Sequence, residues 1–176
     1  MTSITRSNTD NPLRKGTKAW QERQDVQLTN SFETGGIVAL REALNTYEPS
    51  INGQLALCLR AFKKNNDVLS RQLLSLFPDV MKDDQILFDI CSITSLRKNA
   101  CHLFTLALPF KNDTIQNDFA RTYIMQNIAD IPVSYATLTR VLDVRPGKFL
   151  LNAEKATLSK IKRLSQHKST APCLQK

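Results

Sequence analysis

Apolar residues in this chain recur at spacings of three and four, and the runs that carry them start at small polar residues and stop at prolines. That period matches the helical turn rather than the two-residue alternation of a strand. "GGIVALREALNTYEP" sets Ile37, Leu40 and Leu44 on one stripe and stops before Pro49. "NGQLALCLRAFKKN" does the same with Leu55, Leu59 and Phe62, and "NDVLSRQLLSLFP" runs from Asp67, a helix-starting residue, to Pro78. "DDQILFDICSITSLRKNACHLFTLALP" reads as one broken helix or two consecutive ones, with acids at its start and Pro109 at its end. "NDTIQNDFARTYIMQNIAD" opens with Asp113 and Gln116 at capping-box spacing and turns Ile115, Phe119, Tyr123 and Ile124 inward. No strand alternation competes with these stripes.

Two shorter elements follow Pro132. In "VSYATLTRVLDV" Ser134 is placed to cap a helix whose apolar side is Leu138, Val141 and Leu142. "RPGKFLLNAEKATLSKIKRL" has Pro146 in its first turn, where the missing N–H costs nothing. The pattern predicts an all-α fold: a compact helical bundle or short helical array of six to seven helices. Residues 1–32 are polar and lack apolar periodicity, so they read as a flexible polar and basic arm. Residues 33–165 form a single helical domain, and 166–176 a flexible basic tail. Trp20 stands alone in the arm and is expected to dock on its own domain or lie exposed, with partner binding or base stacking as the alternative.

Composition agrees with the pattern. Val, Ile, Gly and Pro are sparse among many Leu, Ala, Lys and Gln, which favours helix over sheet. The most apolar stretch, "LFTLALPF" at 103–110, is far shorter than the ~20 residues a membrane helix needs. The opening "MTSITRSNTD" has no apolar core of a signal peptide, so a cytoplasmic or nuclear, reducing location is the expectation. Cys58, Cys91 and Cys101 then read as small core residues and Cys173 as a tail thiol, with no disulfide framework.

Charge changes the picture most. The chain carries +8 overall, but residues 1–130 hold 15 Lys/Arg against 14 Asp/Glu, while 131–176 hold 9 against 2. The last helical pattern combines an apolar face (Leu150, Ala153, Leu158, Ile161, Leu164) with Lys148, Lys155 and Lys162, which recur every seven residues. Seven residues rise about 10.5 Å along a helix, so these ammonium groups form a ladder. A spaced row of cations suits a phosphate backbone, because each neutralised phosphate releases condensed counterions. The expectation is nucleic-acid binding, RNA favoured over DNA and largely independent of sequence. The contact face comprises Arg140, Arg145, Lys148, Lys155, Lys160, Lys162 and Arg163. Two other partner classes fit the same features: a protein or second copy received between helices, and an anionic membrane surface touched peripherally.

"YATLTRVLDVRPGKFLLNAE" is similar to a helix-turn-helix segment, with Leu138, Leu142, Val144 and Phe149 at the buried positions. It departs from that pattern where Thr139 and Asp143 replace the usual small residue and Gly. It departs again where Leu150 and Leu151 take positions that a groove-reading helix keeps polar. The resemblance implies base-reading DNA recognition and covers about 20 residues.

No catalytic or cofactor signature accompanies these features. Asp79, Asp83, Asp84 and Asp89 cluster in "FPDVMKDDQILFD", but acids at a helix start are explained by capping and the macrodipole. Cys101 and His102 are adjacent and point about 100° apart on a helix, which does not suit one metal ion. "ETGGIVAL" lacks the lysine of a phosphate-binding loop and reads as a permissive helix start. No cofactor, metal or enzymatic activity is expected.

Overall fold

The computed structural model describes residues 15–143 and 159. Among them there are eight α-helices, three short 3-10 turns and no strand. The all-α expectation holds, with eight helices where six to seven were counted. The chain divides into two compact units, Met1–Gly53 and Gln54–Lys176.

In the first unit, α1 (Lys18–Ala43) begins where Thr17 Oγ1 accepts a hydrogen bond from the Trp20 amide at 3.2 Å. Residues 18–32, assigned to the arm from their polarity, are therefore helical. The reason is an i, i+4 series that the polar composition obscured: Gln24, Leu28 and Phe32 are all buried. Trp20 sits half-buried in the first turn. The Gly pair does not start a helix but interrupts one. Gly36 has φ 64° and ψ −149°, so the helix kinks there and resumes through Leu40, which is buried.

Next comes α2 (Ile51–Lys63), whose start belongs to the first unit. Ser50 Oγ accepts from the Gly53 amide at 2.9 Å, closing an N-cap. Asp25 of α1 braces that cap: its Oδ1 accepts from the Ser50 amide at 2.8 Å and its Oδ2 from the Ser50 hydroxyl. A Cβ on residue 53 would overlap the Asp25 carboxylate, so the site requires glycine for close approach.

The second unit holds the remaining helices, and Leu57, Cys58, Ala61 and Phe62 of α2 are buried. The stripe is one step out of phase with Leu55 and Leu59, which are half-buried. The next helix, α3 (Asp67–Leu76), is capped by Asn66 rather than Asp67: Asn66 Oδ1 accepts from the Leu69 amide at 3.0 Å. The long apolar stretch after Pro78 breaks into a 3-10 turn and three helices, α4 (Gln85–Ser92), α5 (Thr94–Arg97) and α6 (Ala100–Ala107). The core lies where α4 packs on α5, α6 and α7 (Asp118–Gln126), with α3 against α6. Ile86, Leu87, Ile90, Leu73, Leu74, Phe104 and Ile124 are wholly buried there.

The start of α7 also differs from the capping-box reading. Asn117 is the cap, its Oδ1 accepting from the Ala120 amide at 2.9 Å, and Asp113 is engaged elsewhere. Within α7 the buried positions are Ala120 and Ile124. Phe119, expected inward, is 49% exposed and meets Phe88 edge-on with ring centres 6.0 Å apart. Ile115 is buried, though it precedes the helix.

Candidate nucleic-acid interface

The last described helix, α8 (Tyr135–Leu142), follows its sequence reading closely. Ser134 Oγ accepts from the Thr137 amide at 3.2 Å, and Leu138, Val141 and Leu142 are buried. The helix is tied to the second unit at its C-terminal end. The Ile115 amide donates to the Val141 carbonyl at 2.8 Å, and Arg121 Nη2 donates to the Leu142 carbonyl at 2.9 Å. The chain leaves the helix through Asp143 at φ 48°, ψ 41°. That left-handed conformation is the one glycine ordinarily supplies, and aspartate is among the few other residues that adopt it readily. The missing glycine of the helix-turn-helix resemblance is thus no obstacle to the turn itself.

Arg140 lies in the final turn of α8 and is exposed, away from the buried Leu138–Val141–Leu142 side. Arg145, Lys148, Lys155, Lys160, Lys162 and Arg163 lie outside the described residues, as does the last helical pattern with its apolar face. The structure therefore places one of the seven expected contact residues.

Two polar centres in the second unit escaped the sequence reading. The first is buried. Lys111, its side chain 1% exposed, sits 2.9 Å from Asp84 Oδ1 and 2.9 Å from Asp113 Oδ1, and donates to the Met81 carbonyl at 3.0 Å. Asp84, 8% exposed, also accepts from the Gln116 and Asn117 backbone amides through Oδ2. Capping explains Asp83, whose Oδ1 accepts from the Gln85 amide at 2.9 Å. It does not explain Asp84, whose carboxylate serves this lysine and the loop before α7. Burial by itself would lower the Lys111 pKa, but hydrogen bonds to the carboxylates of Asp84 and Asp113, with their charges, outweigh it and hold the ammonium above its ordinary value. Engaged with both carboxylates and the Met81 carbonyl and shut off from solvent, this lysine is a structural tie between the 81–84 and 111–113 segments.

The second centre is exposed. It joins the turn between α2 and α3 to the start of α6. Asn65, at φ 50°, ends α2 in a Schellman turn: its amide donates to the Phe62 carbonyl at 3.0 Å, and the Asn66 amide reaches the Ala61 carbonyl at 3.5 Å. Asn99 Nδ2 then donates to Asn65 Oδ1 at 3.1 Å, and His102 Nε2 lies 2.8 Å from Asp67 Oδ1. His102 thus has its partner on α3.

The buried thiols of Cys58 and Cys91 are held in the protonated form at neutral pH. Burial pushes Cys58 up to about 12 and Cys91 to about 11, the Arg97 charge opposing the latter shift. Among the described residues no group of three or more His, Cys, Asp and Glu side chains could hold a metal ion, and no helix is long and apolar enough to cross a membrane. No protein-family model, curated protein or solved structure matches this chain.

Proposed function

We propose that this protein binds nucleic acid, RNA in preference to DNA, through the phosphate backbone and largely without reading sequence. One observation carries the reading: residues 1–130 are nearly neutral, and 131–176 hold 9 Lys/Arg against 2 Asp/Glu. A surface without balancing acids presents an uncancelled field that a polyanion relieves, and condensed counterions are released as it does so. Support comes also from α8, which anchors the start of the basic region on the second unit and leaves Arg140 exposed. The role is binding rather than catalysis: the two histidines lie 65 positions apart in sequence, and His102 is committed to a surface carboxylate.

The test is a salt titration with a labelled oligoribonucleotide. Log Kd should rise linearly with log salt, and the variant Lys148→Glu, Lys155→Glu, Lys162→Glu should lose most of the affinity, on the order of a hundredfold or more at 0.1 M salt. Full affinity in that variant would refute the proposed contact face.

A further inference from the structure

Helices α4 and α7 of the second unit leave aromatic surface uncovered between them. Phe119, in the first turn of α7, is 49% exposed, and its ring meets that of the half-buried Phe88 on α4. The chain around this pair is acidic. Residues 83–93 and 112–120 contain Asp83, Asp84, Asp89, Asp113 and Asp118 and no Lys or Arg. Lys111 lies against Asp84 and Asp113, which leaves Asp89 and Asp118 as the chain neighbours of the two rings. Asp118 is exposed, and Asp89 accepts from Gln85 Nε2 at 2.8 Å. A ring pair bordered by carboxylates repels phosphate. It suits an apolar segment that carries cations at its edge.

Helix α8 delivers such a segment to the same place. Its last turn is held by the Ile115 amide and by Arg121 Nη2, from positions four residues before and two residues after Phe119. The chain leaves it at Asp143. The seven residues from Asp143 to Leu150 span up to about 24 Å when extended. That is about twice the 10–12 Å width of a helix, so residues from Leu150 onward can reach any side of α7. In helical projection Lys160 falls about 80° from the centre of the face formed by Leu150, Ala153, Leu158, Ile161 and Leu164. Lys148, Lys155 and Lys162 fall about 120–160° from it. With the apolar face down, one lysine borders the acids and three point away.

We infer that the apolar face of residues 150–164 docks on the Phe88–Phe119 pair of the same chain, with Lys160 toward the bordering carboxylates. The Lys148, Lys155 and Lys162 ladder is then turned outward on the helical body. This docking goes beyond the nucleic-acid reading and does not depend on what the ladder meets.

Photocross-linking of the full chain with p-benzoylphenylalanine in place of Phe119 tests it, since the exposure of that position admits a larger ring. The expected product is a cross-link within one chain, mapped by mass spectrometry to residues 150–164. Its yield should fall at least about fivefold in Ile161→Asp/Leu164→Asp, which removes apolar burial without touching the α4–α7 core. The Lys148→Glu, Lys155→Glu, Lys162→Glu variant should keep the cross-link, because its changes lie on the outward side. Amide exchange of the natural chain gives a second readout. Phe119→Asp should speed exchange of residues 150–164 about tenfold or more and leave residues 86–92 of α4 at wild-type rates. Absence of a cross-link to 150–164 within the chain, whether none forms or the product joins two copies, would overturn the docking. So would a yield indifferent to Ile161→Asp/Leu164→Asp. Neither result bears on the salt titration, which tests the function separately.

Discussion

Lys111 shows how one residue can hold together segments that share no local pattern. Its ammonium meets Asp84 at the head of α4, Asp113 in the loop before α7 and the Met81 carbonyl of a 3-10 turn. Removing one partner of a buried ion pair leaves the other charge uncompensated, so Lys111→Met should destabilise the second unit by about 3 kcal/mol in urea unfolding. Asp113→Asn removes a carboxylate that is 65% exposed and should change stability by less than about 1 kcal/mol. The pH dependence has a definite sign. Because the folded-state pKa of Lys111 is raised, its contribution is fully present below about pH 10.5 and fades as pH climbs through the folded value. Wild type should therefore lose stability in strong alkali faster than Lys111→Met does. Gly53 supplies a second test at this scale. Alanine for glycine within a helix ordinarily gains up to about 1 kcal/mol. Here the added methyl would strike the Asp25 carboxylate that braces the Ser50 cap, so Gly53→Ala should give no gain in Tm. Asp25→Ala should lose about 1 kcal/mol by the same readout.

At the scale of elements, boundaries were legible where a cap or proline marks them. Ser134, Pro78 and Pro109 lie at or close to ends of helical elements, as their chemistry requires. Phase was less legible. One residue of error in the cap, Asn66 for Asp67, is harmless, but on α7 the side bearing Ala120 and Ile124 packs inward and leaves Phe119 against Phe88. The polar composition of residues 18–32 hid a helix because three buried positions, Gln24, Leu28 and Phe32, suffice to fasten it once a neighbouring surface exists. Helix α2 yields a prediction of its own. Cys58 is wholly buried on it and its thiol is pushed up to about 12, so alkylation of Cys58 at pH 8 should proceed only as the protein unfolds. Mass spectrometry of pulse-labelled protein along a urea series would show whether Cys58 modification tracks loss of helical circular dichroism.

For the whole molecule the governing quantity is the distribution of charge. A net of +1 over residues 1–130 and +7 over 131–176 is fixed by covalent structure and needs no fold to be read. If that asymmetry serves nucleic acid, protein purified at low salt should carry it, with an absorbance ratio at 260 over 280 nm that falls after a high-salt wash.

The sequence alone determined the helical class, most helix ends and the cationic C-terminal region, because periodicity, caps and charge are local properties that survive without tertiary contacts. Only the tertiary structure decided which helix faces became buried and which polar groups met. Lys111 with Asp84, Asp25 with Ser50, and Asn65 with Asn99 are pairs separated by some 25 to 34 residues. No spacing rule links such residues. They come together because packed helices bring distant turns to the same place, where a buried or clustered charge must find a partner.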